Sequence, residues 1–346
     1  LIDGITGGHI WAERYDRDFS DIFDLQDEIT KAITQQLQVR LLDKELCEPG
    51  PTENADAYNL YLKGRQFFHM RARRYLEQAR RLFLDALQHD SEYARAYVGL
   101  AECEARLNDW HGTTYAIEDI ISMGKRAIDL APNLAEAHAA LGLAFQISGQ
   151  NDLAVASYRK ALALDPLCYE AHHNFARYHR GQLNHEQSAY HFTRALEIKP
   201  DDYRSPLLLT TDLEKLGRVE ERDRYLELGL KRVEEAVERH PDTPDPLELA
   251  APVLAGFGRL DHAREFLERA RKADPESQFS DSYNVACVYA LLGEPETALD
   301  CLEKVFPGLG HVQREWLRND PDFSSLQGNP RFQRLLGASA SSDESH

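Results

Sequence analysis

Prolines at 132, 166, 200, 241 and 275 divide the chain into steps of 34, 34, 41 and 34 residues. A proline pushes the residue before it out of the α region, so it ends a helix rather than continuing one. Punctuation at this spacing calls for a repeated unit of about two short helices. Such units bury their apolar faces only against their neighbours, so the chain must fold as a stack and not around one central core. A length of 346 residues, above the usual single-core size, agrees with that.

The residues between the prolines repeat as well. Residues 135–168 carry His138, Leu141, Gly142, Phe145, Ala154, Tyr158, Ala161 and Pro166. Residues 169–202 place His172, Phe175, Ala176, His179, Ser188, Phe192, Ala195 and Pro200 at the same offsets, and the unit ending at Pro275 supplies Leu247, Ala250, Ala251, Leu254, Ala263, Leu267 and Ala270. This series resembles the tetratricopeptide repeat, whose pattern is W-x2-L-G-x2-Y, then A-x3-F, then Pro. The resemblance implies an all-α, right-handed superhelical solenoid of about seven helical hairpins. Gly142 with Ala154, Ala176 with Ser188 and Ala251 with Ala263 are expected to be small because the two helices of a hairpin cross closely there. A larger residue would overpack the crossing at a cost of about 1–3 kcal/mol. Phe145, Tyr158, Phe192 and Leu267 are expected to fill the groove between neighbouring hairpins.

Weaker copies flank the clear ones. Gly64 and Ala79 mark a unit in residues 55–91, Pro132 closes one in 94–132, and Ala286 and Ala298 mark a seventh. The unit ending at Pro241 has seven extra residues, close to two helical turns, which predicts a longer second helix with the same face turned inward. The expected organisation is a repeat array over 57–306, a capping segment over 307–337 and a disordered tail over 338–346.

The first residues, "LIDGITGGHIWAERYDRDFSDIFDLQDEI", break the pattern. They read as a β-hairpin followed by an amphipathic helix with Ile29, Ile33, Leu37 and Leu41 on one face. Residues 1–46 are therefore expected to be the C-terminal remnant of an upstream α/β domain, joined by a linker over 47–56. This run resembles the end of the TolB-like domain of multidomain bacterial signalling proteins, and "NVACVYALLGE" with "WLRNDPDFSSLQGNPRF" is similar to the closing unit of the repeat arrays that follow it. The resemblance implies an upstream effector: a class III adenylate/guanylate cyclase, a winged-helix DNA-binding domain or a kinase. No cyclase, kinase or helix-turn-helix motif stands in these 346 residues, so no catalytic residue is assigned.

A formal net charge of −18 repels phosphates and argues against nucleic-acid binding by this segment. The five cysteines (47, 103, 168, 287, 301) are odd in number and lack CxxC spacing, which reads as buried thiols in a reducing, cytoplasmic compartment. The longest uncharged apolar stretch, residues 249–258, is too short to cross a bilayer.

Candidate sites are few. Six acids between Asp16 and Glu28 suggest a calcium loop, but Asp21 stands where that loop requires glycine, so no metal is assigned. "GITGGHI" lacks the ending of a phosphate loop, and no cofactor is expected. His138, His172 and His179 replace aromatic repeat positions and read as packing or surface residues, whereas His173 falls on the inner face, exposed to the concave groove. That face is the candidate partner-binding surface, with Glu136, Glu170, His173, Arg177, Arg180, Arg204 and Glu214. The lysine–asparagine clamp by which some tetratricopeptide domains hold peptide carboxylates is absent. Arg177 and Arg180, three apart, could meet an acidic peptide or form only a solvated basic patch. The expected function is a scaffold or regulatory region that binds a protein or peptide partner, or the upstream effector itself. The alternatives are the regulatory tail of a class III cyclase and the sensor region of a winged-helix transcription regulator.

Overall fold

The computed structural model describes residues 52–111, 113, 115–273, 283–309, 314, 317–318 and 320–338. The β-hairpin and helix expected over residues 1–46 and the first half of the linker, 47–51, lie outside the described residues, as does Pro275. Among the described residues all regular structure is helical. Seven antiparallel hairpins follow one another: α1 (Ala55–Met70) with α2 (Arg73–His89), α3 (Ala94–His111) with α4 (Ile117–Leu130), α5 (Ala135–Ile147) with α6 (Asn151–Leu164), α7 (Tyr169–Gly181) with α8 (His185–Ile198), α9 (Arg204–Lys215) with α10 (Val219–Arg239), α11 (Asp245–Gly256) with α12 (Leu260–Ala273), and α13 (Tyr283–Leu291) with α14 (Pro295–Val305). A 3₁₀ segment, Pro321–Leu326, and α15 (Pro330–Ala338) close the chain.

Each boundary has a local cause. Pro132, Pro166, Pro200 and Pro241 each stand two residues beyond the end of a second helix, where a residue that cannot continue a helix costs nothing. Asn54 accepts from the backbone N–H of Asp56 and Ala57, so α1 begins at Ala55, inside the stretch read as linker. At the other end α15 runs through Ala338, one residue into the expected tail. The seven extra residues of the fifth unit make α10 21 residues long, against 14 for α6, α8 and α12.

Five of the seven hairpins share one turn device. Gly149, Gly217, Gly258 and Gly293 each lie two residues past the end of a first helix with φ between 70 and 76°, a left-handed conformation that glycine adopts without strain. In the α7–α8 turn the equivalent residue is Leu183, at φ 56° and 69 % exposed. A Cβ there costs about 1–2 kcal/mol. Leu183→Gly is expected to stabilise the protein by about 1 kcal/mol, measured as a rise in the urea midpoint at unchanged slope.

Packing joins neighbours. Gly64 in α1 and Gly99 in α3 both face the Phe83 ring, and a Cβ added to either would come within 2.6 Å of it. Gly142 does the same against Tyr158, at 2.8 Å. The small residue therefore accommodates a large ring of its own hairpin, and that ring also stacks on Phe175 of the next, with centroids 5.2 Å apart. Ala79, Ala154, Ala176, Ala251, Ala263, Ala286 and Ala298 are all fully buried. Successive first helices lie together at α1–α3, α3–α5, α5–α7, α9–α11 and α11–α13. Beyond the last hairpin, Leu317, Phe323, Leu326 and Phe332 are buried in the same cluster as Ala286, Leu299 and Leu302, which keeps the terminal apolar face out of water.

Candidate functional site

The first helices turn charged side chains towards a shared interior. Arg65 of α1 donates to Glu102 of α3 (3.0 Å) and to Glu170 of α7 (2.9 Å), spanning 105 residues of sequence. Arg106 of α3 donates to Asn174 (3.4 Å), and Arg177 donates to Asp109 (3.3 Å). Arg204 of α9 donates to Asp245 of α11 (2.6 Å). His173 lies 3.1 Å from Ser205 Oγ. Three guanidinium groups, those of Arg65, Arg71 and Arg106, lie 5.1, 4.5 and 5.4 Å from the centroid of the Phe68 ring, whose negative face attracts them.

The centre of this interior is closed to solvent, while Arg65, Glu170, Asp109 and Arg177 at its edge keep 17–26 % of their side chains exposed. Glu102, Arg106, His173 and Asn174 are at most 2 % exposed, and Arg71 and Arg204 are below 10 %. The expectation that His173 would be exposed in the groove is corrected. The winding brings α1 and α3 across the face of α7, so the groove is filled by the chain's own side chains. The electrostatics follow from that burial. Loss of water and then the charges of Arg204 and Arg177 hold the His173 imidazole well below its ordinary range. Burial and then the nearby Arg204 depress Arg71, while burial and then Arg71 depress Arg106. Burial opposes the charge on Arg65 as well, but Tyr61, Glu102 and Glu170 outweigh it and raise its pKa. Burial raises Glu102, one of whose oxygens has no hydrogen-bond partner.

Of the residues picked from sequence, Glu170, His173, Arg177 and Arg204 thus join one polar interior. Glu136 pairs with Arg95 at 3.5 Å. Arg180 donates to the Leu208 carbonyl at 3.3 Å rather than standing as an open basic patch with Arg177. Glu214 pairs with Arg222 of α10 and is 45 % exposed. Sequence reading missed Arg65, Glu102, Arg106, Asp109, Asn174 and Asp245. The available signal was Glu102 and Arg106 set four apart within the largely apolar "VGLAECEARL", which puts both on one helix face.

The histidines have assigned work. His138 Nε2 lies 3.0 Å from the Pro132 carbonyl and His172 Nε2 lies 3.1 Å from that of Pro166, the same contact one repeat apart. A carbonyl only accepts, so Nε2 carries the proton in neutral His172 and its Nδ1 accepts from His191 Nδ1, 2.9 Å away. His179 stacks on His191 with the rings 5° from parallel. His185 and Ser188 both bond the fully buried Asp212 carboxylate at 2.8 Å, so Ser188 is a donor as well as a small residue.

Among the described residues one group, Cys287, Asp320 and Asp322, brings three potential metal-ligand atoms within 4.8 Å of one another. Its carboxylates already have structural partners. Asp320 accepts from Tyr283 Oη (2.7 Å) and from the Asp322 backbone N–H (3.0 Å), which caps the 3₁₀ segment. Burial, with the charge of Asp320, pushes Asp322 up to about 6. Cys103, Cys168, Cys287 and Cys301 are buried thiols. No helix among the described residues is long and apolar enough to cross a membrane.

The repeat geometry on the third and fourth hairpins has a counterpart among known families. Residues 134–203 match the tetratricopeptide-repeat family model. The chain therefore carries tetratricopeptide repeats within a helical solenoid. It is 34 % identical over 149 residues to the Rhizobium meliloti (strain 1021) protein named "Putative adenylate cyclase 3", covering 42 % of this chain and 25 % of that protein. It is 24 % identical over 285 residues to the Arabidopsis thaliana protein "CTR9 homolog", covering 76 % of this chain and 24 % of that one. The chain thus spans about a quarter of each of these relatives. Among solved structures, an IFIT1 monomeric mutant with Gppp-AAAA has a TM-score of 0.56 at 14 % identity, covering 95 % of this chain and 79 % of that one. The hetero-tetramer of Cut9 and Hcn1 from the APC/C has a TM-score of 0.55 at 15 % identity, covering 88 % and 59 %. At these identities the likeness is one of fold.

Proposed function

We propose that this chain is a tetratricopeptide interaction module of a larger signalling protein, acting by holding a protein segment rather than by chemistry. The observation that carries the reading is the convergence of charged side chains from α1, α3, α7, α9 and α11 on one interior. A solenoid builds such residues into one continuous concave face, on which the part-exposed Arg65 and Arg177 (20 % and 26 %) carry forked donors suited to carboxylates. The test is an array of peptides graded in charge, probed with the purified chain and with Arg177→Gln, whose side chain is 26 % exposed. Retention of a subset of peptides, weakened at least fivefold in the variant, is expected. Retention of none, or equal retention by both proteins, would sink the reading.

The likeness to a protein named as an adenylate cyclase supports a narrower reading, in which the module regulates cyclic-nucleotide synthesis by an attached cyclase domain. Cyclase activity of the parent protein that is indifferent to deletion of residues 55–338 would refute it.

A further inference from the structure

The apolar clusters join each hairpin only to those beside it. The first reaches from Phe68 and Phe83 to Leu107, the middle ones link α3 through α9, and the last begins at Leu207 and ends at Phe332. Contacts between hairpins that are not neighbours are of another kind. Arg65 to Glu170 and Arg177 to Asp109 cross the groove as ion pairs. At the rim, where α1 gives way to α2, Arg74 donates to the Asp242 carbonyl at 2.9 Å and Tyr75 donates to the Asp242 carboxylate. Asp242 sits in the loop between α10 and α11, more than 160 residues along the chain. Arg74 also bonds Tyr75 Oη at 3.0 Å, so the two donors approach Asp242 as a unit.

We infer that the Arg74–Tyr75–Asp242 contact is a clasp that shuts one superhelical turn, with the groove-crossing ion pairs beneath it, and that the array has an open state in which the clasp is broken and the arginine-lined interior is accessible. Three features carry this. The clasp is exposed, with Arg74 and Asp242 side chains 45 % and 60 % accessible, so water and salt compete for it directly. Exposed pairs of this kind contribute little individually. Opening also leaves every apolar cluster intact, because none of them bridges the closure. A solenoid whose neighbour interfaces persist can change its winding by small rotations shared among hairpins. The clasp itself is therefore held by weak, exposed polar contacts, while the part-buried pairs beneath it, such as Arg65–Glu170, add the rest of the closure.

Small-angle X-ray scattering of the full chain tests the idea. For the wild type, the radius of gyration is expected to rise by about a tenth or more between 50 mM and 500 mM NaCl, with unchanged far-ultraviolet circular dichroism. The double variant Arg74→Gln/Tyr75→Phe is expected to be expanded already at 50 mM and to respond less to salt. Equal radii and equal salt responses for the two proteins would overturn the inference. Should the double variant lose helicity, Tyr75→Phe alone and the wild-type salt series decide between the same outcomes. That the clasp gates a partner rests on the proposed concave-face function. An array that opens on schedule but retains no peptide would refute that function and leave the clasp standing.

Discussion

Phe83→Ala is expected to cost about 3–5 kcal/mol and to split the unfolding transition. Phe83 is fully buried and fills the space left by two glycines, one in the helix before it and one in the helix after. Neither Gly64 nor Gly99 has a side chain that could swing into the void, so the site cannot collapse and the loss lies toward the upper end of the range. The damage stays local, because the cluster holding Phe83 extends only over the first two hairpins. Chemical denaturation followed by circular dichroism should show a first transition carrying roughly two-sevenths of the helical signal, with the rest unfolding near the wild-type midpoint. A single transition displaced as a whole would show coupling beyond neighbours.

The second large effect is acid sensitivity of the fourth hairpin. Burial comes first among the causes that lower His172 and His179, and it holds His191 down to about 3, with the charges of His172 and His179 adding to it. Arg194, Asp165 and Glu197 face His172, and Arg159 faces His179. Each of these pKa values is lower folded than unfolded, so the native state binds fewer protons. The stabilisation is whole above about pH 6.5 and is lost as pH falls towards the folded values. At pH 5 the His191 contribution alone has dropped by about 2 kcal/mol. Doubly protonating the pair would also set two donors against each other across 2.9 Å. Other buried groups titrate in the opposite sense, notably Asp322, so the measurement is a difference. Between pH 7 and 5 the stability of His191→Phe is expected to fall less steeply than that of the wild type. Parallel pH profiles would show that the pair does not titrate with unfolding.

Much of the fold was legible because repeat positions are set by local physics. The prolines two residues beyond the second helices mark where each unit ends. The repeat period alone marks Gly142 and Ala154 as small, although the ring that Gly142 faces, Tyr158, is one the pattern assigns to the groove between hairpins. The length of α10 followed from counting turns. The site was less legible. Which carboxylate meets Arg65 depends on how far the stack has wound after three hairpins, and that winding is the sum of many small rotations that no local pattern encodes. His173 could be placed on the inner face but not recognised as buried, since what packs on it, Phe192 of α8 and Ser205 of α9, comes from helices that a one-repeat pattern does not place. Leu183 shows the converse. Its conformation is that of the four sister turns but the residue is not glycine, and nothing in the composition of "GQLNHE" announces a left-handed residue there.

The elongated α10 carries a geometric constraint with evolutionary weight. Seven residues advance a helix by nearly two whole turns, so the inward face returns to where it began. An insertion of five would leave that face rotated by well over a right angle and would strip Val233 and Ala236 of their neighbours. Length at this position is thus quantised. Insertions or deletions here are expected to preserve packing only in steps of about one or two full turns, and each such step would shift the following loop, with Asp242 upon it, relative to the first hairpin.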